Sequence, residues 1–343
     1  PPVSTYLCGN ILHRFSFKLI NEADVHKIIH NFLPKRSSGH DDLSMFLIKR
    51  VSHVLAMPLT LVINQSLHTG IFPDKLKIAK VIPLFKKDDS TLFDNYRPIS
   101  LLPCLSKIFE KVVYNQLYDY FVRNKLFNIS QHGFRKSHST ETATLEFVDR
   151  VLTSLESSFI TLTVFIDLSK AFDTLNHQIL FQKLEHYGIL DTPLSWFHSY
   201  FENRQQYVFY DDACSSLCQI TTGVPQGSIL GPLLFLIYIN DISIASNIFN
   251  FILYADDTSL EAPIGSFEVT GITPNTSISE SINLELVKIS NWLCVNMLSV
   301  NVKKTKYMLF HCSQRKEESL PVLYLIMNGT PVERVRCFNF LGI

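Results

Sequence analysis

The chain has 343 residues, 46% hydrophobic and 18% charged, and its 31 basic and 31 acidic residues give a formal net charge of zero. That length suits one large domain or two ordinary ones, and so apolar a composition excludes wholesale disorder. Overall neutrality argues against a uniformly basic nucleic-acid-binding surface, so any basic face must come from local asymmetry. The seven cysteines form no two-pair zinc pattern; Cys214 and Cys218 stand closest and have no second pair nearby. An odd count without framework spacing reads as reduced, intracellular thiols. No signal peptide is visible, and the longest apolar run, residues 229–239, is broken by Gly231 and Pro232 and is too short to span a bilayer. It reads as a buried helix, and no membrane is expected as a partner. The missing initial Met and the abrupt end at Ile343 suggest a fragment of a longer polyprotein.

In chain order, Asn21 to Phe32 reads as a short amphipathic helix, and residues 34–42 as a turn-rich loop running from basic to acidic. Residues 45–70 are apolar at helical spacing, with Gly70 as the stop. Residues 75–87 carry Lys75, Lys77, Lys80, Lys86 and Lys87 among β-prone Val-Ile-Pro-Leu-Phe, which is either a solvated charged edge or a surface for a nucleic-acid backbone. A strong helix follows over residues 106–123, with Ile108, Val112, Tyr120 and Phe121 among its apolar positions. Asn176 caps a helix that ends at Gly188, and Thr192-Pro193 opens the next, with Thr192 as the cap. Residues 206–210 and 217–221 read as a hairpin around a solvated Asp211-Asp212 turn. Residues 279–298 are helical, with Ile282, Leu286, Ile289 and Leu293 on one stripe.

Two apolar runs end on carboxylates. Leu162-Thr-Val-Phe-Ile leads into Asp167, and Phe251-Ile-Leu-Tyr-Ala leads into Asp256 and Asp257, which a β-prone run leaves. The second run predicts a strand, a tight turn and a return strand with the acid pair at the tip. Two ionised carboxylates about 4 Å apart repel by roughly 4 kcal/mol at an effective dielectric of about 20. A protein either splays such a pair into water or bridges it with a cation. If the two strands are neighbours, three carboxylates surround a space suited to two Mg²⁺ ions, roughly 3.5–4 Å apart, with Mn²⁺ as a possible substitute.

Tyr254-Ala-Asp-Asp257 resembles the signature of reverse transcriptases, and that family's other blocks surround it in order. They are Asn95-Tyr-Arg-Pro-Ile-Ser-Leu-Leu102, Gln131-His-Gly-Phe-Arg135 with Ser139-Thr140, and Phe165-Ile-Asp-Leu-Ser-Lys-Ala-Phe-Asp173. Gly223-Val-Pro-Gln-Gly-Ser-Ile-Leu-Gly-Pro232 precedes the acid pair, and Asn301-Val-Lys-Lys-Thr-Lys306 and Phe338-Asn-Phe-Leu-Gly342 follow it. The wording is most similar to the enzymes of non-LTR, LINE-like retrotransposons of the jockey or chicken-repeat type.

The resemblance implies an α/β (α+β) right-hand polymerase core: palm and fingers, a mostly antiparallel palm sheet backed by helices, and no thumb. Residues 1–74 would be an N-terminal helical extension leading into the fingers, where such a segment can touch template RNA. Residues 75–343 would be the reverse transcriptase domain, ending at the primer grip. The implied activity is RNA-directed DNA polymerisation on an RNA template with a DNA primer and dNTPs. Asp167, Asp256 and Asp257 would hold the metals, and Lys304, or its neighbour Lys303, would protonate departing pyrophosphate. Arg135, on an expected fingers hairpin, and Arg97 would meet the triphosphate. Phe172 would exclude a ribose 2′-OH. Gln226 would bond near sugar and base, and Gly227 would let the backbone approach a base pair. The last stretch, residues 334–343, would be a hairpin gripping the primer end. Thumb and endonuclease regions lie outside the resemblance. The expected location is the nucleus, the cytoplasm or both, in a ribonucleoprotein of undetermined oligomeric state. Two rivals stand beside this reading: a truncated, non-catalytic relic that only binds nucleic acid, and a group II intron-type maturase.

Overall fold

The computed structural model describes residues 2–7, 13–264 and 278–342. Chain order runs α1 (Glu22–Asn31), α2 (Met45–Arg50), α3 (Ser52–Thr69), β1 (Ile78–Phe85), β2 (Tyr96–Leu101), α4 (Cys104–Arg123) and α5 (Thr140–Glu156). It continues with β3 (Thr161–Ile166), α6 (Ala171–Thr174), α7 (His177–His186), α8 (Asp191–Phe201), β4 (Gln205–Tyr210), β5 (Ala213–Cys214), β6 (Cys218–Gln219) and α9 (Leu230–Ile239). The last elements are β7 (Asn250–Tyr254), β8 (Asp257–Pro263), α10 (Ile278–Val295), β9 (Lys306–Phe310), β10 (Ile326–Met327), β11 (Thr330–Pro331) and β12 (Glu333–Arg334). Among the described residues no helix is long and apolar enough to cross a membrane.

The chain divides into two compact units, each assembled from separate stretches. The first comprises Pro1–Cys8, Phe127–Ala171 and Tyr238–Ile343; the second comprises Gly9–Leu126 and Phe172–Ile237.

The first unit is built on a five-stranded sheet of order β12-β9-β3-β8-β7, antiparallel except where β12 meets β9. Every residue of β3 is buried, as its near-continuous apolar run requires of a central strand. The side chains of Phe165 on β3 and Ile252 on β7 join Ala143, Phe147 and Val151 of α5 in one apolar cluster. That helix starts on a capping box in which Ser139 and Thr142 satisfy each other's backbone N–H groups. The expected stripe of α10 is buried at Ile282, Leu286, Ile289 and Leu293.

The second unit holds another five-stranded sheet, of order β2-β1-β4-β5, with β6 also on β4. Here β1 and β4 run parallel and the other pairings are antiparallel. The expected helices form, with two adjustments. The apolar run to Gly70 splits at Val51 into α2 and α3. The cap of α8 is Leu190, so Pro193 lies in its first turn and Thr192 is already helical. The basic stretch also departs from expectation. Lys77 is buried and donates to Asp74 Oδ1 at 2.6 Å, and Lys80 Nζ sits 3.8 Å from the Phe209 ring centroid. Lys75, Lys86 and Lys87 remain exposed.

Candidate active site

The first unit brings the expected acids to one end of its sheet. β3 and β8 pair from Thr161↔Pro263 to Ile166↔Thr258, so Asp167 and Asp257 fall one register step further on. β7 and β8 form a hairpin closed by Tyr254↔Asp257, with Ala255 and Asp256 as its two-residue turn. Asp256 is therefore in the turn and Asp257 is the first residue of the return strand. Asp167, Tyr254, Asp257, Lys303, Lys304, Lys306 and Phe338 are among the residues lining a cavity of about 770 Å³.

The electrostatics follow from that placement. Burial raises the Asp256 carboxyl above the ordinary carboxylate range; a backbone hydrogen bond opposes this and the charge of Asp167 adds to it. Burial raises Asp257 to about 6, reinforced by the charges of Asp256 and Asp167. Lys304 Nζ lies 3.8 Å from Asp167 Oδ2. Its loop is tied to the same residue, because Asn301 N–H donates to the Asp167 carbonyl at 2.8 Å, and Lys304 and Thr305 N–H donate to the Asn301 carbonyl. Lys303 lines the same cavity without an ion pair among the described residues. Lys306 is paired with Glu333 at 2.5 Å.

Among the described residues no group of three or more His, Cys, Asp or Glu side chains is gathered into a ready-made metal cage. The chemistry of Asp167, Asp256 and Asp257 nevertheless suits a hard divalent cation, since all the donors are carboxylate oxygens, and the raised protonation of Asp256 and Asp257 is the frustration such a charge relieves.

The block around Gln131 holds a role that the sequence reading missed. It forms no hairpin. Instead its backbone runs beside β7: His132 N–H donates to the Leu253 carbonyl at 2.7 Å, and Leu253 N–H donates to the Ser130 carbonyl at 2.9 Å. The buried Gln131 Oε1 accepts from Gly133 N–H at 2.8 Å and from Ala255 N–H at 3.1 Å, clamping the turn that carries Asp256. A Cβ on Gly133 would stand 2.3 Å from the Ala255 nitrogen. Ala255 itself has φ 57°, so the acidic turn includes a left-handed residue held in place by its neighbours. The available signal was a glutamine and a glycine flanking a histidine in a segment without strand alternation. Arg135 serves the same segment, its Nη1 donating to the carbonyls of Asn128 at 2.9 Å and Gln131 at 3.0 Å.

The final stretch is also not a hairpin. Phe338 stacks on Phe165 with centroids 4.2 Å apart, and Phe340 meets Phe147 at 5.2 Å. The hairpin nearby is β10–β11, earlier in the chain.

The remaining expected residues belong to the second unit. Phe172, Gln226 and Gly227 line one cavity of about 290 Å³, and Phe172 stacks on Phe235 at 4.5 Å. The close approach that Gly227 permits is to protein: at φ 125°, a Cβ there would stand 2.5 Å from the Ser100 carbonyl oxygen. Arg97 is exposed on β2 with no side-chain partner among the described residues.

A mostly antiparallel sheet with acids at the ends of neighbouring strands, in a chain that also holds a second, mixed helix-and-sheet unit, has the elements of a polymerase palm and fingers. The family model described as "Reverse transcriptase (RNA-dependent DNA polymerase)" matches residues 85–343, and the chain belongs to that family. It is 28% identical over 99% of its length to the RNA-directed DNA polymerase from mobile element jockey of Drosophila melanogaster, covering 37% of that protein. It is 27% identical over 93% of its length to the jockey polymerase of Drosophila funebris, covering 34% of that protein. It is 30% identical over 66% of its length to a probable RNA-directed DNA polymerase from transposon BS of Drosophila melanogaster, covering 25% of that protein. The chain thus spans about a third or less of the length of these curated relatives. Membership of this family implies a divalent-cation requirement in general.

Proposed function

We propose that this chain carries RNA-directed DNA polymerase activity, adding deoxynucleotides to a primer 3′-OH on a retrotransposon RNA template. The observation that carries the reading is the pairing register that sets Asp167 beside Asp257, with Asp256 in the adjoining turn. Asp167 and Asp256, with Asp257 in support, would hold two Mg²⁺ ions, or Mn²⁺ in their place. Bound there, the cations would lower the pKa of the primer hydroxyl and neutralise the triphosphate.

The chain's own groups do the rest. The Gln131 clamp fixes the turn that aims Asp256. Lys304, whose loop is tethered to the Asp167 backbone, donates a proton to departing pyrophosphate. Lys303 shares its cavity and is the alternative donor. Arg97, exposed and without a side-chain partner among the described residues, is freer to meet phosphate than Arg135, whose Nη1 is spent on two carbonyls. Phe172 acts against a ribose 2′-OH by bulk, and Gln226 and Gly227 flank it in the same cavity. Residues 1–74, which contain α1 to α3, serve as the extension leading into the fingers, and residues 75–343 as the polymerase domain. In this reading the protein works in a ribonucleoprotein, in the nucleus or the cytoplasm.

The test is extension of a primer on RNA by the purified chain, repeated with Asp256→Ala. Extension by the first and not the second supports the reading. Equal extension by both, or salt-dependent RNA binding with no dNTP incorporation by either, overturns it. The maturase alternative is not favoured, since the matched relatives are mobile-element polymerases.

A further inference from the structure

Asp173 follows Phe172 but does not line the cavity of the second unit. Its carboxylate accepts from Gln226 Nε2 through both oxygens, at 2.9 and 3.1 Å. A carboxylate only accepts, so the Gln226 amide can meet it only with its NH₂ end. The other end, Oε1, has no protein partner among the described residues. The surrounding backbone is fixed independently of this contact. Thr222 Oγ1 donates to the Asp173 carbonyl at 3.2 Å. Val224 N–H donates to the Phe172 carbonyl, Gly223 N–H to the Leu175 carbonyl, and Ser100 N–H to the Gln226 carbonyl, at 2.7 to 2.9 Å. Deleting the Asp173 carboxylate therefore frees the amide without unlacing the loop.

We propose that Asp173 is a positioning residue: by holding the NH₂ end of the Gln226 amide, it makes the cavity present a hydrogen-bond acceptor, Oε1, to an O–H or N–H donor of the incoming nucleotide. The inference rests on the polymerase reading and adds the polarity of one contact. A bond to an ionised partner holds one amide orientation over the other by at least about tenfold. Without Asp173 the amide turns over freely and offers a donor to a donor in much of the population.

The test uses the full chain labelled with ¹⁵N-glutamine, with the Gln226 side-chain signal assigned by its loss in Gln226→Ala. Asp173→Ala is expected to move that signal to the position of solvent-exposed glutamines; an unmoved signal overturns the contact. In primer extension, Asp173→Ala is expected to raise the KM for dNTPs about tenfold while kcat changes less than about twofold. The double variant with Gln226→Ala is expected to match Gln226→Ala alone, because Asp173 acts only through that amide. Additive losses, or a fall in kcat with KM unchanged, overturn the positioning role. Asp173→Asn, which keeps one acceptor oxygen, is expected to fall between, and it replaces the alanine variant if that chain fails to fold. A wild-type chain that extends no primer overturns the polymerase reading and the nucleotide side of this inference with it. Extension with an unmoved amide signal overturns this inference alone.

Discussion

Two Asp-Asp pairs sit at two-residue hairpin turns, one in each unit, and they differ by a single step of register. Asp211 and Asp212 occupy both turn positions between β4 and β5, at φ 49° and 59°, and are exposed. In the other hairpin Ala255 takes the first turn position, so Asp256 is in the turn and Asp257 enters β8. That one-residue displacement puts a carboxylate into the ladder one step beyond Ile166↔Thr258, beside Asp167. Burial and like charge then act on it. The dipeptide is the same in both places. The added frustration comes from desolvation at that sheet end and then from Asp256, with Asp167 on the neighbouring strand adding to both.

The largest expected effect tests that contrast directly. Asp256→Ala should lower the rate of primer extension by about 10³-fold or more, since the lost stabilisation of developing charge is worth several kcal/mol. Asp211→Ala should leave the rate unchanged. Comparable losses in both would erase the distinction.

A further carboxylate, Glu261, lies on the same strand as Asp257 but faces protein. It is 2% exposed, neither of its oxygens has a hydrogen-bond partner among the described residues, and Arg150 Nη1 is 3.6 Å away. Burial raises it to about 8, against the pull of Arg150. A folded-state value above the unfolded one means that the native state binds the proton more tightly. Its contribution is therefore fully present below about pH 4.5 and is lost as pH rises towards 8. Urea melts should show stability falling by up to ~1.4 kcal/mol per pH unit across that window from this group. Glu261→Gln should flatten the slope and be relatively most stabilising near pH 8.5. An unchanged slope would mean that Glu261 does not take up its proton on folding.

The turn's support should show a smaller effect. Gln131→Leu leaves the Ala255 and Gly133 N–H groups without their acceptor and should cost about 1–3 kcal/mol in thermal or urea unfolding. Gly133→Ala, which drives a Cβ into the Ala255 nitrogen, should cost a similar amount. Both should also slow extension, because the clamp and the acids share one turn. Normal unfolding in either would show that the turn holds its shape unaided. The smallest effect belongs to the control hairpin: Asp212→Asn should shift stability by no more than about 0.5 kcal/mol, as for any exposed site away from a network.

Much of this molecule was legible along the chain. Although α5 and its cap at Ser139 were not read from the sequence, the helix from Asn21, the stop at Gly70 and the buried stripe of α10 all follow from contacts within a few residues. The strand-turn-strand around the acid pair was legible for the same reason. The block at Gln131 was misread because its partner, β7, lies more than a hundred residues away, and nothing local marks a backbone that borrows a strand's edge. The final Phe-Asn-Phe has the alternation of a strand, yet Phe338 and Phe340 satisfy it by packing on Phe165 and Phe147. Lys77 looked like a surface charge and is buried beside Asp74, because a long aliphatic stem can be covered while its ammonium finds one acceptor.

By itself the sequence determined the family and most of the helices and strands, and it singled out the candidate acids, because block order and local periodicity are written in adjacent residues. Only the tertiary structure decided which acid stands beside which, that a glutamine far upstream clamps the acidic turn, and that Asp173 holds the amide of Gln226. Register between distant strands and the end-for-end sense of an amide are set by long-range hydrogen bonds, and no window along the chain contains both partners.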